Sequence, residues 1–213
     1  MQNNSSRQEI LQRITAAAPK RRLAFVDTDE TGLGSIYKPV LPDAITCFKN
    51  ELEAINGQCI VCEDQIDLYG QLRIFLMDKG LTNLFCRDSY IMQQLQQHDI
   101  PFSTDDIYFD AMQAGVTGCE FLVARTGSVL VSSASLSGRQ MSVFPPIHIV
   151  IAQVSQLVSY LEEALIAVKE KYGDNLPSTI STITGPSRTA DIEKTLVLGA
   201  HGPKEFVVFL SKM

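Results

Sequence analysis

Basic side chains are few, and no long hydrophobic run occurs in this sequence of 213 residues. The 18 Lys and Arg against 24 Asp and Glu give a formal net charge of −6. This balance argues against a nucleic-acid partner, because neutralising phosphates requires a surplus of basic side chains. The first residues, MQNNSSRQEI, lack the apolar core of a signal peptide, and no run approaches the roughly 20 residues of a membrane span. We therefore expect a cytoplasmic protein with no membrane span.

Cysteine is also scarce, with five thiols at positions 47, 59, 62, 86 and 119. They are odd in number and lie mostly in apolar runs, which is typical of buried free thiols. Cys59 and Cys62 have CxxC spacing, but their stretch reads as a strand, in which residues three apart point to opposite faces. No second CxxC follows, so an iron–sulfur cluster lacks ligands. We predict core thiols rather than a redox or metal site, and no cofactor in this chain.

Short apolar runs alternate with amphipathic helical patterns along most of the chain. This alternation predicts βαβ units and a largely parallel sheet, and the length suits one domain. The predicted helices cover residues 7–17, 42–57, 64–79, 88–97, 154–173 and 190–196. The predicted strands cover residues 23–26, 58–62, 83–87, 147–151, 179–184 and 205–210. The apolar runs on either side of residues 126–127 predict a hairpin or a sharp corner.

Turn-forming and polar residues cluster in the run ITGPSRTADIEKTLVLGAHGPKEFVVFL, from residue 183 to 210. Within it, Gly185, Ser187, Arg188 and Thr189 precede the predicted short helix. Backbone N–H groups at a helix start, beside hydroxyls and a guanidinium, favour an anion, which Arg188 can grip through two parallel hydrogen bonds. The alternative is a capped helix in which Arg188 is a structural clamp.

Two further blocks accompany this run: GVTGCE at 115–120 leading to TGS at 126–128, and GR at 138–139 leading to PIHIV at 146–150. Together the three blocks resemble the signature of the LUD-domain family, the family of lactate utilization protein C. The resemblance implies the fold of sugar-phosphate isomerases, CoA transferases and folate cyclo-ligases, an α/β fold with a mostly parallel sheet covered by helices. We expect one such domain over residues 1–213, with residues 1–20 as a helical lead-in.

The block at Thr126, Gly127 and Ser128 is a candidate ligand loop. It reads equally well as a tight turn in which Gly127 supplies a positive φ. Arg125 stands where relatives usually carry Glu, so this chain has a cation where many relatives have an anion. That difference puts carboxylate chemistry at this position in doubt.

A second candidate anion-binding group is Arg139, in the serine-rich run from 132 to 142, although a surface loop explains it nearly as well. We expect residues 126–128 and 187–189 to meet beyond the carboxyl ends of adjacent strands, where open α/β sheets bind ligands. The donors there predict a small ligand that carries a carboxylate or a phosphate.

Candidate catalytic groups are His201, Asp191 and Glu120. His201 lies between two glycine-containing turns and has the access that a proton-transfer group needs, although it can equally anchor a turn. Asp191 and Glu120 are the carboxylates nearest the suspected loops. His148 lies inside an apolar strand, which favours a buried, hydrogen-bonded imidazole over a catalytic one.

The resemblance implies a role in oxidising L-lactate to pyruvate, together with partner proteins that carry iron–sulfur clusters. Because this chain lacks cluster ligands, we expect a non-redox component that binds substrate, organises the complex, or does both. The alternative is a free-standing isomerase or acyl/CoA transferase acting on a small anionic metabolite, which needs a carboxylate base or nucleophile. A third possibility is an assembly protein with a vestigial pocket.

Overall fold

Residues 3–17, 38–137, 139–190, 196–199 and 201–213 are described by the computed structural model. A first unit, up to Lys38, contains helix α1, and a second compact unit runs from Pro39 to Met213. The helices are α1 (Asn3–Ala17), α2 (Ala44–Ala54), α3 (Gln65–Lys79), α4 (Ser89–Gln97) and α5 (Leu161–Tyr172). The strands are β1 (Gln58–Cys62), β2 (Leu84–Cys86), β3 (Ala114–Thr117), β4 (Phe121–Val123), β5 (Ser128–Ser132), β6 (Ile147–Gln153), β7 (Leu157–Val158), β8 (Ile180–Ile183), β9 (Arg188–Ala190), β10 (Leu196–Leu198) and β11 (Glu205–Ser211).

Five of these strands form a parallel sheet in the order β1-β11-β6-β3-β2. Four of them, β1, β2, β6 and β11, coincide with apolar runs, because strands buried on both faces read as continuous hydrophobic stretches. The fifth, β3, has the sequence AGVT and was not predicted. The strands predicted at 58–62, 83–87, 147–151 and 205–210 are confirmed, with ends that differ by at most two residues. The strand predicted at 23–26 lies outside the described residues.

Helices α3 and α4 cover one face of the parallel sheet and share a core with it. Their limits follow from local chemistry. Asp64 caps the start of α3 by accepting a hydrogen bond from the backbone N–H of Asp67 at 2.8 Å. Gly80 ends α3 in the left-handed conformation with φ of 63°, and Asp88 caps α4.

The opposite face of the parallel sheet packs against α2 and a smaller sheet in the order β7-β4-β5-β8. Helix α5 lies on the far side of that smaller sheet, where Ala164 and Val168 are buried against Val123 and Leu130. The unit from Pro39 onward is therefore built in layers, with α3 and α4 outermost on one side and α5 outermost on the other.

The two thiols of the CxxC stretch point to opposite faces of β1, as predicted. Cys59 packs with α2 and the smaller sheet, whereas Cys62 packs with α3 and α4. Burial raises the pKa of Cys59 to about 12 and that of Cys62 to about 11. Both thiols are therefore neutral near pH 7.

Two predicted helices are corrected. Residues 154–173 do not form one helix: 154–156 make a short 3-10 turn, β7 follows, and α5 begins only at Leu161. The apolar residues of β7 pair with β4 instead, in the register Leu122 with Leu157. The helix predicted at 190–196 is also wrong at its first and last residues, because these belong to strands β9 and β10, which pair in antiparallel register. Residues 191–195 lie outside the described residues.

Candidate functional site

Two adjoining clefts open at the carboxyl ends of the parallel strands. The first, called here the Glu120 cleft, measures about 200 Å³. The second, called the Tyr69 cleft, measures about 510 Å³. Asp88, Gly118 and Cys119 line both clefts and so mark the neck between them. This edge is where open α/β sheets bind ligands.

Glu120 forms the most concentrated polar cluster of the first cleft. Its carboxylate accepts hydrogen bonds from Ser132 Oγ at 2.6 Å and from Tyr172 OH at 2.7 Å, both at Oε1. The ammonium group of Lys171 contacts Oε2 at 2.7 Å. The Glu120 side chain is 6% exposed and that of Lys171 is 55% exposed. The carboxylate therefore lies in the wall of the cleft, with the cation at its mouth.

The local structure explains why these four side chains meet. Glu120 directly precedes β4 and Ser132 ends β5, and these two strands pair in antiparallel register. Lys171 and Tyr172 end helix α5, which packs on the same sheet. The packing of α5 on β4 and β5 thus delivers the last turn of the helix to the end of the hairpin.

The hydrogen bonds of this cluster stabilise the charged forms of Glu120 and Lys171. Burial alone would raise the pKa of Glu120, but the hydrogen bonds from Lys171, Ser132 and Tyr172 outweigh it and hold the pKa of this carboxyl below its usual value. The hydrogen bond to Glu120 in turn raises the pKa of Lys171. Glu120 is thus a carboxylate, and Lys171 an ammonium, near pH 7.

A buried histidine supports the wall of the Glu120 cleft. His148 is 0% exposed, and its Nε2 lies 2.8 Å from Oγ1 of Thr117, which lines the cleft. Burial lowers the pKa of His148 to about 4. The imidazole is therefore neutral near pH 7, which agrees with the expected structural role.

The thiol at the neck between the clefts is neutral near pH 7. Burial raises the pKa of Cys119 to about 12, and the nucleophilic form of cysteine is the thiolate. Among the residues that the structure describes, no group of three or more His, Cys, Asp or Glu side chains could hold a metal ion. No helix in the described part of the chain is long and apolar enough to cross a membrane.

The predicted ligand segment at 126–128 contacts Thr184, just before the other predicted segment, at the opposite end of the parallel sheet from the one expected. Ser128 Oγ lies 2.8 Å from Thr184 Oγ1 and donates to Thr126 Oγ1 at 2.8 Å. These loops follow the carboxyl ends of β4 and β8 in the smaller sheet. That position is on the amino side of the parallel sheet, since the Ser187 backbone N–H donates to the carbonyl of Pro203, just before β11, at 2.9 Å.

Several groups of these segments bind other parts of the protein. Arg125 forms an ion pair with Glu51 of α2 at 2.5 Å. Arg188 donates to the backbone carbonyl of Ile55, at the end of α2. A side chain at Gly185 would meet the same carbonyl at 3.0 Å. The two guanidinium groups thus hold α2 against the loops.

Of the remaining predicted residues, two are exposed. Arg139 is exposed and donates to Ser178 Oγ at 3.0 Å. His201 is exposed on the amino side of the sheet. Thr189 lies in β9, and Asp191 lies outside the described residues. Of the two candidate catalytic groups that the structure describes, Glu120 lines one of the two clefts and His201 lines neither.

Sequence reasoning did not identify the partners of Glu120. Ser132, Lys171 and Tyr172 are 12, 51 and 52 residues away from it in the chain. The serine-rich run and the Gly173 helix stop are visible in the sequence, but they do not show that the helix end meets the hairpin.

The chain belongs to the LUD domain family, which matches residues 45–211. Lactate utilization protein C of Bacillus velezensis is 37% identical over 181 residues, covering 76% of this chain and 75% of that protein. Lactate utilization protein C 1 of Bacillus mycoides is 39% identical over 102 residues, 46% of this chain and 44% of that protein. The chain therefore spans less than half the length of this second relative.

The fold has a counterpart among solved structures. The crystal structure of a DUF162 family protein from Deinococcus radiodurans matches with a TM-score of 0.58 over 79% of this chain and 96% of that one. At 18% identity this likeness concerns the fold alone. The predicted family and the predicted mixed α/β fold are thereby confirmed.

Proposed function

We propose that this protein is a non-redox component of L-lactate oxidation, which binds a small hydroxy acid in the Glu120 cleft and works with iron–sulfur partner proteins. The lactate context is supported by the relatives named lactate utilization protein C. The observation that carries the binding role is the buried Glu120 carboxylate, with Lys171 beside it at 2.7 Å, in the wall of a cleft at the carboxyl edge of the sheet.

The size and the polar groups of this cleft suit a small acid. Its volume of about 200 Å³ is below the roughly 300–1,000 Å³ of drug-sized sites. Lys171, whose side chain reaches the mouth, supplies a cation for a carboxylate. Glu120 supplies an acceptor for a hydroxyl proton, and the serine-rich loop adds hydroxyls from Ser135 and Ser137. A 2-hydroxy acid offers both a carboxylate and a hydroxyl within a few atoms.

The placement of the thiols supports the assignment of electron transfer to partner proteins. Cys47 and Cys59 are buried with α2, whereas Cys62 and Cys86 are buried on the other face of the parallel sheet. Thiolate ligands of one cluster must converge on it. In this proposal the electrons of lactate pass to clusters held by the partners.

The binding role is tested by removing one positive charge from the cleft. We expect K171M to weaken L-lactate binding by about tenfold to hundredfold, because a charge-assisted hydrogen bond contributes roughly 1.5–3 kcal/mol. Lys169 is exposed on the same helix, so K169M makes the same change of charge away from the cleft and should bind L-lactate as the wild type does. Isothermal titration calorimetry measures all three affinities.

Two checks complete this test. Because K171M leaves Glu120 without its cation, thermal unfolding must first show that this variant is folded. If K171M does not fold, K171R replaces it, and this variant should retain most of the affinity for L-lactate because it keeps the positive charge. In the source organism, deleting the gene should slow growth on L-lactate, and K169M but not K171M should restore it. Equal L-lactate affinity of K171M and K169M would refute the site, and normal growth of the deletion strain would refute the role in lactate utilization.

A second candidate function, acyl or CoA transfer, is favoured by one observation: Glu120 is an ionised carboxylate in a cleft wall. In such a reaction the carboxylate attacks the thioester carbonyl, forms a mixed anhydride and releases the CoA thiolate. Both oxygens of Glu120 already accept hydrogen bonds, so at least one of these hydrogen bonds must break before the carboxylate can attack. Release of free thiol from acetyl-CoA by the wild type but not by E120Q would support transfer over simple binding.

A further inference from the structure

We propose that the Tyr69 cleft is a second binding site, which takes an uncharged planar ring that carries an amide or carbonyl group. This inference goes beyond the proposed function and does not depend on which acid occupies the Glu120 cleft. The cleft is lined by residues from α3, α4 and the carboxyl ends of β6 and β11, and it measures about 510 Å³.

The first reason is a buried hydroxyl without a partner. Tyr69 is 2% exposed and lines the cleft, and its OH has no hydrogen-bond partner among the described residues. Leaving a buried polar group unpaired costs roughly 1–3 kcal/mol. Phenylalanine would avoid that cost in the same space, so a ligand atom that pairs with the hydroxyl explains why tyrosine is present.

The second reason is the charge of the lining. Its polar side chains include the amides of Gln65 and Gln153 and the carboxylate of Asp88, whereas the amide of Gln156 is already hydrogen-bonded to the backbone of Gln153 and Cys119. No Lys, Arg or His occurs among the lining residues that the structure describes. A phosphate or carboxylate would thus meet a negative charge without a compensating cation. Glutamine amides both donate and accept, which suits a carbonyl or amide on an uncharged ligand.

The third reason is the shape of the walls. Leu68, Ile91 and Ile151 give the cleft apolar sides, and Tyr90 adds an aromatic ring whose OH accepts from Gln65 Nε2 at 2.8 Å. A mostly apolar cleft with a few fixed polar groups is the usual form of a small-molecule site. Aromatic rings favour other flat rings through offset or edge contacts.

The two clefts adjoin at a neck formed by Asp88, Gly118 and Cys119. A methyl group at Gly118 would lie 3.5 Å from Asp88 Oδ2 and 3.8 Å from Ile91 Cδ1, which are ordinary contacts. Alanine therefore fits at this position. A ring in the Tyr69 cleft would accordingly lie beside an acid in the Glu120 cleft.

Benzamide and benzoate provide a matched pair of probes, since they share a planar ring and differ in charge. With the full chain and no acid present, ligand-observed NMR should show that benzamide binds at least tenfold more tightly than benzoate. Y69F should weaken benzamide about fivefold, the effect of one hydrogen bond. Its melting temperature should be equal to or above that of the wild type, because the unpaired hydroxyl is gone.

G70A serves as the control for this experiment, because Gly70 is the next residue of α3 and has no atom within 4 Å of an added methyl group. It should bind benzamide as the wild type does. Benzoate binding as tightly as benzamide, or equal benzamide affinity in Y69F and G70A, would overturn the proposal. These measurements contain no lactate, so their failure leaves the Glu120 cleft to its own test.

Discussion

At the scale of single residues, His148 makes the stability of the fold depend on pH. The neutral ring is buried beside Thr117, and its pKa is about 4 in the folded protein against an ordinary value of 6.5. A depressed pKa means that the unfolded chain binds the proton first as the pH falls. The contribution of His148 to stability is therefore complete above about pH 6.5 and is lost progressively down to pH 4.

We predict that H148Q removes much of this pH dependence. Each pH unit in the window changes the free energy of unfolding by about 1.4 kcal/mol, so the wild type should lose about 2 kcal/mol between pH 6.5 and about pH 5. Glutamine can still bond Thr117 but does not titrate. Urea unfolding at the two pH values measures the difference, and equal losses in both proteins would contradict this account.

Glu120 does not complicate that comparison. Its pKa lies below the ordinary value of 4.5, so its contribution is lost only when the pH falls below that value. Between pH 6.5 and about pH 5, both the folded and the unfolded chain carry this carboxylate mostly ionised. The slope in this window therefore reports chiefly on the histidine.

What the sequence reveals at this scale depends on whether a residue acts with its chain neighbours. His148 is predictable as a buried imidazole, because the apolar residues around it belong to the same strand. The partners of Glu120 are not, since Lys171 approaches it only after α5 has packed on the smaller sheet. Arg125 looks like a pocket cation in sequence, but Glu51 of α2 neutralises it.

At the scale of elements, the corner between β4 and β5 depends on Gly127. Its φ is 58°, and an added methyl group would lie 2.3 Å from the backbone nitrogen of Leu52 in α2. Gly80 has a similar φ of 63°, yet nothing lies within 4 Å of an added methyl group there. The two positions share the backbone conformation and differ in the space around them.

This pair of glycines separates backbone strain from steric contact. We predict that G80A costs about 1–2 kcal/mol, the penalty of a left-handed conformation for an L-residue. G127A should cost clearly more, because the α2 backbone must move away as well. Guanidinium unfolding measures both costs. Similar values would show that a methyl group at position 127 does not displace the backbone of α2.

Periodicity fails where one apolar pattern satisfies two structures. The spacing of Val154, Leu157, Leu161 and Val168 fits a helical face, but Leu157 completes the edge of the smaller sheet by pairing with Leu122. Local spacing cannot reveal this outcome, because the competing partner is distant in sequence. By contrast, α3 is predictable at both ends, since Asp64 and Gly80 act within their own turns.

At the scale of the whole molecule, the proposed acid site and the loops at residues 126–128 and 185–188 lie at opposite edges of the parallel sheet. We predict that saturating L-lactate slows amide hydrogen exchange in residues 117–120 and 132–137. Residues 185–188, on the amino side, should exchange at an unchanged rate. Mass spectrometry of peptides from both edges compares the two sites in one experiment. Protection confined to 185–188 would move the anion site to the loop that carries Arg188.

The sheet order is the least predictable property at this scale. Alternating helices and strands imply a parallel sheet, but the alternation is compatible with several strand orders. The observed order places β11 between β1 and β6. This arrangement is set by which faces bury the most apolar surface together, a property of the assembled layers and not of any one segment.

The position of β11 between β1 and β6 also has a consequence for biosynthesis. Both neighbours of this strand, β1 and β6, precede it in the chain, so a ribosome produces them first. Until β11 emerges, each presents an unpaired edge of hydrogen-bonding groups, the kind of edge that recruits strands from other chains. Nascent molecules are thus most prone to mispairing with one another before β11 emerges, and chaperones that shield strand edges would act on this protein at that stage.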